Sequence, residues 1–255
     1  MENKKLAIPY ITWIIGFIII PLFFIFYYGL IDNGTFTLSN VLAIFEKVHL
    51  KPLFLSIKLS LICVIVCLII AIPLGVAIRE VNSKIIVFLF VIPMWMNTIL
   101  SIMAWKLLLS TNGIFNSLFH FGSILNTEAA TLLGMIYDLL PFAIMPIYTA
   151  ISAIDENVIN SASDLGANKL QILFKIIIPN AKGGILSAII MVFVPALTSF
   201  VVSDMLGGGK VSLIGNIIEQ EFTNALNWNL GSGLSIVLMI FVFISTIVMR
   251  KGEKN

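Results

Sequence analysis

The stretch LFLSIKLSLICVIVCLIIAIPLGVAI, Leu53 to Ile78, holds a single charged side chain, Lys58. An α-helix rises about 1.5 Å per residue, so this run is long enough to cross the ~30 Å hydrocarbon core of a bilayer. The two cysteines of the chain, Cys63 and Cys67, lie four apart in it and so share one helix face. No His or further Cys completes a metal site with them, and they read as packing residues. Comparable runs at Leu6–Leu30, Ile85–Leu109, Glu128–Ile154, Gly183–Leu206 and Leu230–Met249 predict six transmembrane helices. The expected fold class is an all-α polytopic membrane protein, one transmembrane domain over residues 1–255.

Composition agrees, with 59% hydrophobic and 11% charged residues and a mean hydropathy of +1.07, far more apolar than a soluble core needs. Membrane lipid is the expected solvent. The formal net charge of +2 comes with no basic tract outside the short loops, which excludes nucleic acid as a partner. The first run follows Lys4-Lys5, is too long for a signal peptide and lacks a small-residue cleavage site, so it reads as a retained helix beginning at or near Met1.

Six spans place both termini on one side. Ten of the fifteen Lys and Arg then share that side, namely Lys4, Lys5, Arg79, Lys84, Lys169, Lys175, Lys182, Arg250, Lys251 and Lys254. The excess of basic loops predicts cytoplasmic termini in the plasma membrane. Between the first two spans, Leu38, Val41, Leu42, Phe45 and Val48 repeat at helical spacing behind Ser39, which predicts a short surface helix. Pro73, Pro93, Pro141, Pro146 and Pro195 fall inside spans and predict bends, without internal repeats or spans broken around a midplane site.

The longest inside segment, about 155–180, is amphipathic. Asp155-Glu156 suits the positive end of a helix, Gly166 can end that helix in a left-handed residue, and Pro179 is expected to stop a second one. The order Asn160-Ser161-Ala162, Gly166, Ile176-Ile177-Ile178-Pro179 resembles the coupling loop of ABC importer permeases, written EAA-xxx-G-(nine residues)-I-x-LP. Asn160, Ser161 and Ile178 depart from the usual Glu, Ala and Leu. The resemblance implies an ABC type I importer permease fold whose loop docks in a groove of an ATPase, with Asn160, Ser161, Ala162, Asp164, Leu165, Gly166, Ala167 and Pro179 as coupling residues.

Nearly the whole chain is similar to the first permease subunit of spermidine/putrescine importers, through Ala104-Trp105-Lys106, Leu140-Pro141-Phe142, Met145-Pro146, Asp164-Leu165-Gly166-Ala167, Ser203-Asp204-Met205-Leu206-Gly207-Gly208 and Leu213-Ile214-Gly215-Asn216. This implies a complex with a homologous second permease subunit, two cytoplasmic ATPase subunits and an extracytoplasmic polyamine-binding protein, and no cofactor on this chain.

A polycation needs carboxylates in place of its hydration and aromatic faces to attract its ammonium groups. Asp138 beside Tyr137 lies at a depth where a charge costs about 2.5–3.5 kcal/mol unless it faces water or a partner. Asp204 ends the fifth span, and Glu219 and Glu221 fall in the loop beyond it, so these acids are candidates for an entrance. Trp105 and Trp95, with Tyr137 and Tyr148, are candidates for cation–π contacts; an interfacial belt or core packing explains most of them more cheaply. Lys106 is expected to snorkel outward or to pair with an acid. His49 and His120 read as lone surface groups in outer loops.

No G-x-x-x-x-G-K-[ST] loop is present, so ATP hydrolysis is expected on another subunit, and no nucleophile, base and orienting group assemble at recognisable spacing. The competing readings are an ABC permease for another small solute, an ion-coupled secondary transporter or channel component, and a non-transporting membrane scaffold.

Overall fold

A computed structural model describes residues 8–32, 34–81, 84–119, 122 and 124–251 of the chain. In chain order the helices are α1 (Pro9–Leu30), α2 (Lys47–Val81), α3 (Lys84–Trp95), α4 (Thr98–Leu109), α5 (Ile114–Phe119), α6 (Glu128–Ser152), α7 (Glu156–Asp164), α8 (Lys169–Asn180), α9 (Lys182–Leu197), α10 (Phe200–Gly207), α11 (Ile214–Thr223) and α12 (Trp228–Lys251). Among the described residues, five stretches are long and apolar enough to cross a membrane: α1, α2, Thr98–Leu118, α6 and Trp228–Arg250. The fifth predicted crossing, Gly183–Leu206, falls on α9 and α10. His120 and the terminal lysines Lys4, Lys5 and Lys254 lie outside the described residues.

Two compact units divide the chain, residues 1–52 with 217–244, and residues 53–216 with 245–255. The larger unit is organised by α2. Ser56, Ser60, Cys63, Cys67, Ala71 and Ile78 recur at helical spacing and are all buried, whereas Phe54, Leu61, Ile65 and Ile69 on the other faces are exposed. In lipid, small residues let helices approach closely while large apolar ones meet acyl chains. The Cys63 and Cys67 sulfurs are 4.0 Å apart on that buried stripe, and Ser60 Oγ donates to the Ser56 carbonyl. Lys58 Nζ donates to Glu128 Oε2 at 2.6 Å. Lys58 and Arg79 thus bracket about 20 apolar residues, one hydrocarbon thickness, and the rest of the 35-residue helix projects beyond it.

α6 and α9 make the closest helix pair. A Cβ on Gly184 of α9 would collide with the Ala150 side chain and stand 2.6 Å from the Pro146 carbonyl oxygen. Ala188, Val192 and Ala196 continue that buried face. Pro141 and Pro146 sit within an unbroken α6, and Pro73 within an unbroken α2, so three of the five prolines expected to mark bends do not interrupt their helices.

The other two prolines precede real breaks. α3 ends two residues after Pro93 and α4 starts anew at Thr98; α9 ends two residues after Pro195 and α10 starts at Phe200. The expectation of unbroken third and fifth spans is therefore corrected. A proline removes one backbone donor, which alone a helix tolerates; at Asn97 and Thr198 side chains also offer the backbone alternative partners, and there the helix stops.

In the smaller unit, the C-terminal end of α1 meets the N-terminal part of α12. A Cβ at Gly29 would stand 2.6 Å from Ile236 Cδ1, and one at Gly233 would stand 2.5 Å from the Asn40 backbone. Asn229 Nδ2 donates to Asp32 Oδ1 at 3.1 Å. Residues Ile31–Asp32 and Thr35–Phe36 form a small antiparallel hairpin. The expected surface helix after Ser39 is shorter than its pattern: one α-turn, Ser39–Leu42, and a 3-10 turn, Ala43–Phe45, before α2 begins at Lys47. His49, expected at the surface, is buried with Nδ1 2.7 Å from the Ala43 carbonyl oxygen. That carbonyl, at the start of the 3-10 turn, also accepts from Glu46 N–H at 3.0 Å.

Gly184→Val is expected to destabilise the larger unit by about 1–3 kcal/mol by overpacking, seen as a several-fold lower yield of monodisperse protein in detergent. Gly16→Ala, at a position with nothing within 4 Å of a Cβ, is expected to match the wild type.

Candidate translocation and coupling sites

At the first break, Asn97 takes an extended conformation and its side-chain oxygen accepts from the backbone N–H groups of Ile99 at 2.9 Å and Leu100 at 3.2 Å. α4 therefore begins inside the apolar run with its free donors satisfied. The Thr98 side chain, in the first turn of α4, faces the Asp138 carboxyl group on α6. Asp138 stands about 15 Å along α6 from Glu128 at the usual helical rise. A neighbouring hydroxyl is one of the few devices that make a charge tolerable at that depth.

The same α4 face carries Trp105 to α6. The Trp105 and Tyr137 rings meet edge to face with centroids 5.5 Å apart, and Phe115 of α5 stacks on Trp105 at 6.2 Å with planes 12° apart. Between the helices, Gly134 lies where a Cβ would stand 2.5 Å from Leu206 Cδ1 and 2.7 Å from Val202 Cγ1, both on α10. Of the predicted path residues, Trp105, Tyr137 and Asp138 are brought together. Asp204 is not with them: it lies in the short helix α10 with its side chain exposed. Glu219 and Glu221, expected in a loop, belong to α11, and Glu219 Oε1 accepts from the Thr223 hydroxyl at 3.0 Å. Trp95 is 74% exposed. Tyr148 faces a cleft at the Arg79 end. Lys106, in the last turn of α4, points outward into an exposed position as expected.

The second break is sealed by α11. Thr198 Oγ1 donates back to the Val194 and Pro195 carbonyls, each at 3.3 Å. Asn216 Nδ2 donates to the Phe200 carbonyl at 3.0 Å, while its oxygen accepts from Leu213 N–H. Ile214 N–H donates to Ser56 Oγ at 2.8 Å. A Cβ on Gly215 would stand 2.7 Å from the Thr198 carbonyl oxygen, so only glycine fits that approach. The buried run Leu213-Ile214-Gly215-Asn216 thus fills the break with backbone and Asn216 partners. Asn97, Thr98 and Asn216 escaped the sequence reading, although an Asn within an apolar run four residues after a proline is a helix-start signal.

The hairpin α7–α8 has the expected helix–break–helix form. Asp155 Oδ1 accepts from Asn157 N–H at 2.9 Å and caps α7. At the other end Gly166, at φ +82°, donates to the Ser163 carbonyl, and Ala167 N–H donates to the Ala162 carbonyl. This pair of bonds is a Schellman motif, which fixes the exit direction of the chain. Asn168 and Gln171 then form a reciprocal capping box that starts α8. Pro179 does not stop that helix at its own position; it lies in the last turn after a π-helical segment, Leu173–Ile177, and the chain bends by 73° between α8 and α9. The hairpin leaves Leu165 89%, Leu170 66% and Phe174 64% exposed.

Residues 60–251 match the family described as binding-protein-dependent transport system inner membrane component. The chain belongs to that family. It is accordingly a multi-pass inner-membrane permease subunit. Among relatives of this family member, the spermidine/putrescine transport system permease protein PotB of Haemophilus influenzae is 34% identical, with 100% of this chain and 96% of that protein covered. PotB of Escherichia coli is 30% identical over 98% and 97% of the two chains. In fold, the chain is similar to a bacterial ABC transporter involved in the import of the acidic polysaccharide alginate, with TM-score 0.82, 16% identity and 97% and 94% coverage. The MetNI methionine ABC transporter matches at TM-score 0.58 and 19% identity, over 79% of this chain and 93% of that one.

Thr98→Val, which leaves Asp138 without this partner, is expected to cost about 1–3 kcal/mol, read as a lower thermal midpoint of the purified protein. Thr98→Ser is expected to restore it.

Proposed function

We propose that this chain is the first permease subunit of an ATP-driven importer of polyamines, of the spermidine/putrescine class. It works beside a homologous second permease, two cytoplasmic ATPase subunits and an extracytoplasmic polyamine-binding protein. The observation that carries the cargo class is Asp138, a carboxylate deep in a span, adjoining the Trp105–Tyr137 aromatic pair. Carboxylate and aromatic faces are what a flexible alkylammonium needs when it leaves water. The full-length likeness to PotB proteins supports the same cargo.

The whole chain serves as one permease domain, and its segment at about 155–180 is the coupling loop. α7, with Asn160, Ser161, Ala162 and Asp164, followed by Leu165, Gly166 and Ala167, is the part that docks on an ATPase subunit, and Pro179 lies in the return to α9. Supporting this, the Schellman motif presents Leu165 at 89% exposure on a hairpin with little core of its own. The Arg79 end of the bundle faces the cytoplasm, with both termini, a reading supported by the sequence pattern of six spans, which assigns ten of the fifteen basic residues to that side. Asp204, exposed on α10, and Glu219 of α11 are further acids of the substrate path.

Two measurements test this reading. Labelled spermidine uptake that needs this chain and ATP, and that putrescine but not choline, iron or phosphate competes away, is the expected result; normal polyamine uptake in cells lacking it, with no redundant importer, removes the assignment. In the same assay Asp138→Asn is expected to lower the rate by about tenfold or more, equivalent to ~1.4 kcal/mol, and Asp204→Asn to change it only modestly. Gly166→Val forces a branched side chain into a left-handed backbone at about 1–2 kcal/mol. It is expected to weaken co-purification with the ATPase, with Gly166→Asn milder because Asn tolerates that conformation.

A further inference from the structure

The hairpin is joined by the chain itself to α6 and to α9, but not to α2, whose last turn lies against its base. Arg79 makes that connection. Its Nη2 donates to the carbonyl oxygen of Ile154 at 2.6 Å. Ile154 is the residue between the end of α6 and Asp155, the cap of α7. The guanidinium therefore sits at the junction between α6 and the hairpin, the pivot of any displacement of the hairpin relative to its span. The end of a helix presents unsatisfied carbonyls and the negative pole of its dipole, so a cation is favoured there.

The surroundings make this contact more than a surface bond. Nη1 of Arg79 is enclosed and has no hydrogen-bond partner among the described residues. The side chain borders a cleft of about 980 Å³ between the ends of α2 and α6 and the hairpin, with Tyr148 and Ser152 on one wall and Asn160 and Ser163 on the other. A charge-assisted bond at partial burial is shorter and stiffer than a neutral one. One turn further along α2, Gly75 brings the helix against α6: a Cβ there would stand 3.2 Å from Ile151 Cδ1 and 3.3 Å from Ile147 Cγ2. Apolar contact can slide, whereas the Arg79 bond fixes which part of α2 follows the pivot.

We propose that Arg79 is a positioning residue that ties α2 to the α6–α7 pivot, so that displacement of the hairpin moves α2 together with α6 and α9. The inference rests on the coupling role proposed for the hairpin. Without the tie, α6 and α9 respond to the ATPase while α2 lags, and ATP is hydrolysed without the full opening that moves cargo.

The test uses the assembled complex in proteoliposomes, with ATP hydrolysis and spermidine import measured together. Arg79→Gln is expected to keep hydrolysis while cargo imported per ATP falls by about fivefold or more, as loss of a charged hydrogen bond implies. Arg79→Lys, which keeps the charge but offers one compact donor in place of a planar fork, is expected to retain about half of the wild-type ratio. Gly75→Ala, a packing change in the same helix pair, is expected to alter import and hydrolysis together and leave the ratio unchanged. A wild-type ratio in Arg79→Gln overturns the proposal. Should that variant not assemble, the lysine variant decides alone, and a ratio equal to wild type in it overturns the proposal. A wild-type complex that hydrolyses ATP but imports no spermidine refutes the cargo reading instead, a result separate from any effect of Arg79.

Discussion

In hydrocarbon a backbone N–H or C=O has no water to bond, and each one left unpaired costs several kcal/mol. That constraint makes the chain helical, and it also dictates what must surround the two places where helices break. At Asn97 the amide side chain takes the donors of the new helix start. At Thr198 the hydroxyl returns to the carbonyls behind it, and Asn216 arrives from α11 to serve the far side of the gap. The polar residues of the membrane interior are thus spent where the backbone needs them. Asp138 is the exception that the backbone does not require, which is why it draws attention as a functional group.

Close approach is the second theme, and it follows from the first. Once helices carry their own hydrogen bonds, lipid offers no hydrophobic drive to pair them, and association rests on packing. α2 therefore turns a stripe of Ser, Cys and Ala inward, and α9 sets Gly184 against the Pro146 carbonyl of α6. The α6–α9 pair is also what the α7–α8 hairpin joins, and Arg79 adds a hydrogen bond from α2 to the residue that follows α6.

Much of this was legible in sequence because its causes are local. Span positions follow from the length of apolar runs, and the hairpin form follows from Asp155 and Gly166, each acting within a few residues. The two breaks were not legible from Pro93 and Pro195 alone, since Pro73, Pro141 and Pro146 stand in unbroken helices. What separates the cases is whether other side chains can replace the lost helical bonds, and at the second break the decisive one lies in a different element. His49 shows the same limit on a smaller scale. A lone histidine in a polar loop reads as exposed, yet it is buried on the Ala43 carbonyl.

The sequence by itself determined the solvent, the apolar runs long enough to cross a membrane and the local chemistry of the α7–α8 hairpin, because run length and capping act along the chain. Only the tertiary structure decided that Trp105 meets Tyr137 beside Asp138, and that Arg79 reaches the end of α6. Those placements depend on which faces of separate helices meet, and that is set by where small residues allow backbones to approach, an interaction between elements far apart in sequence.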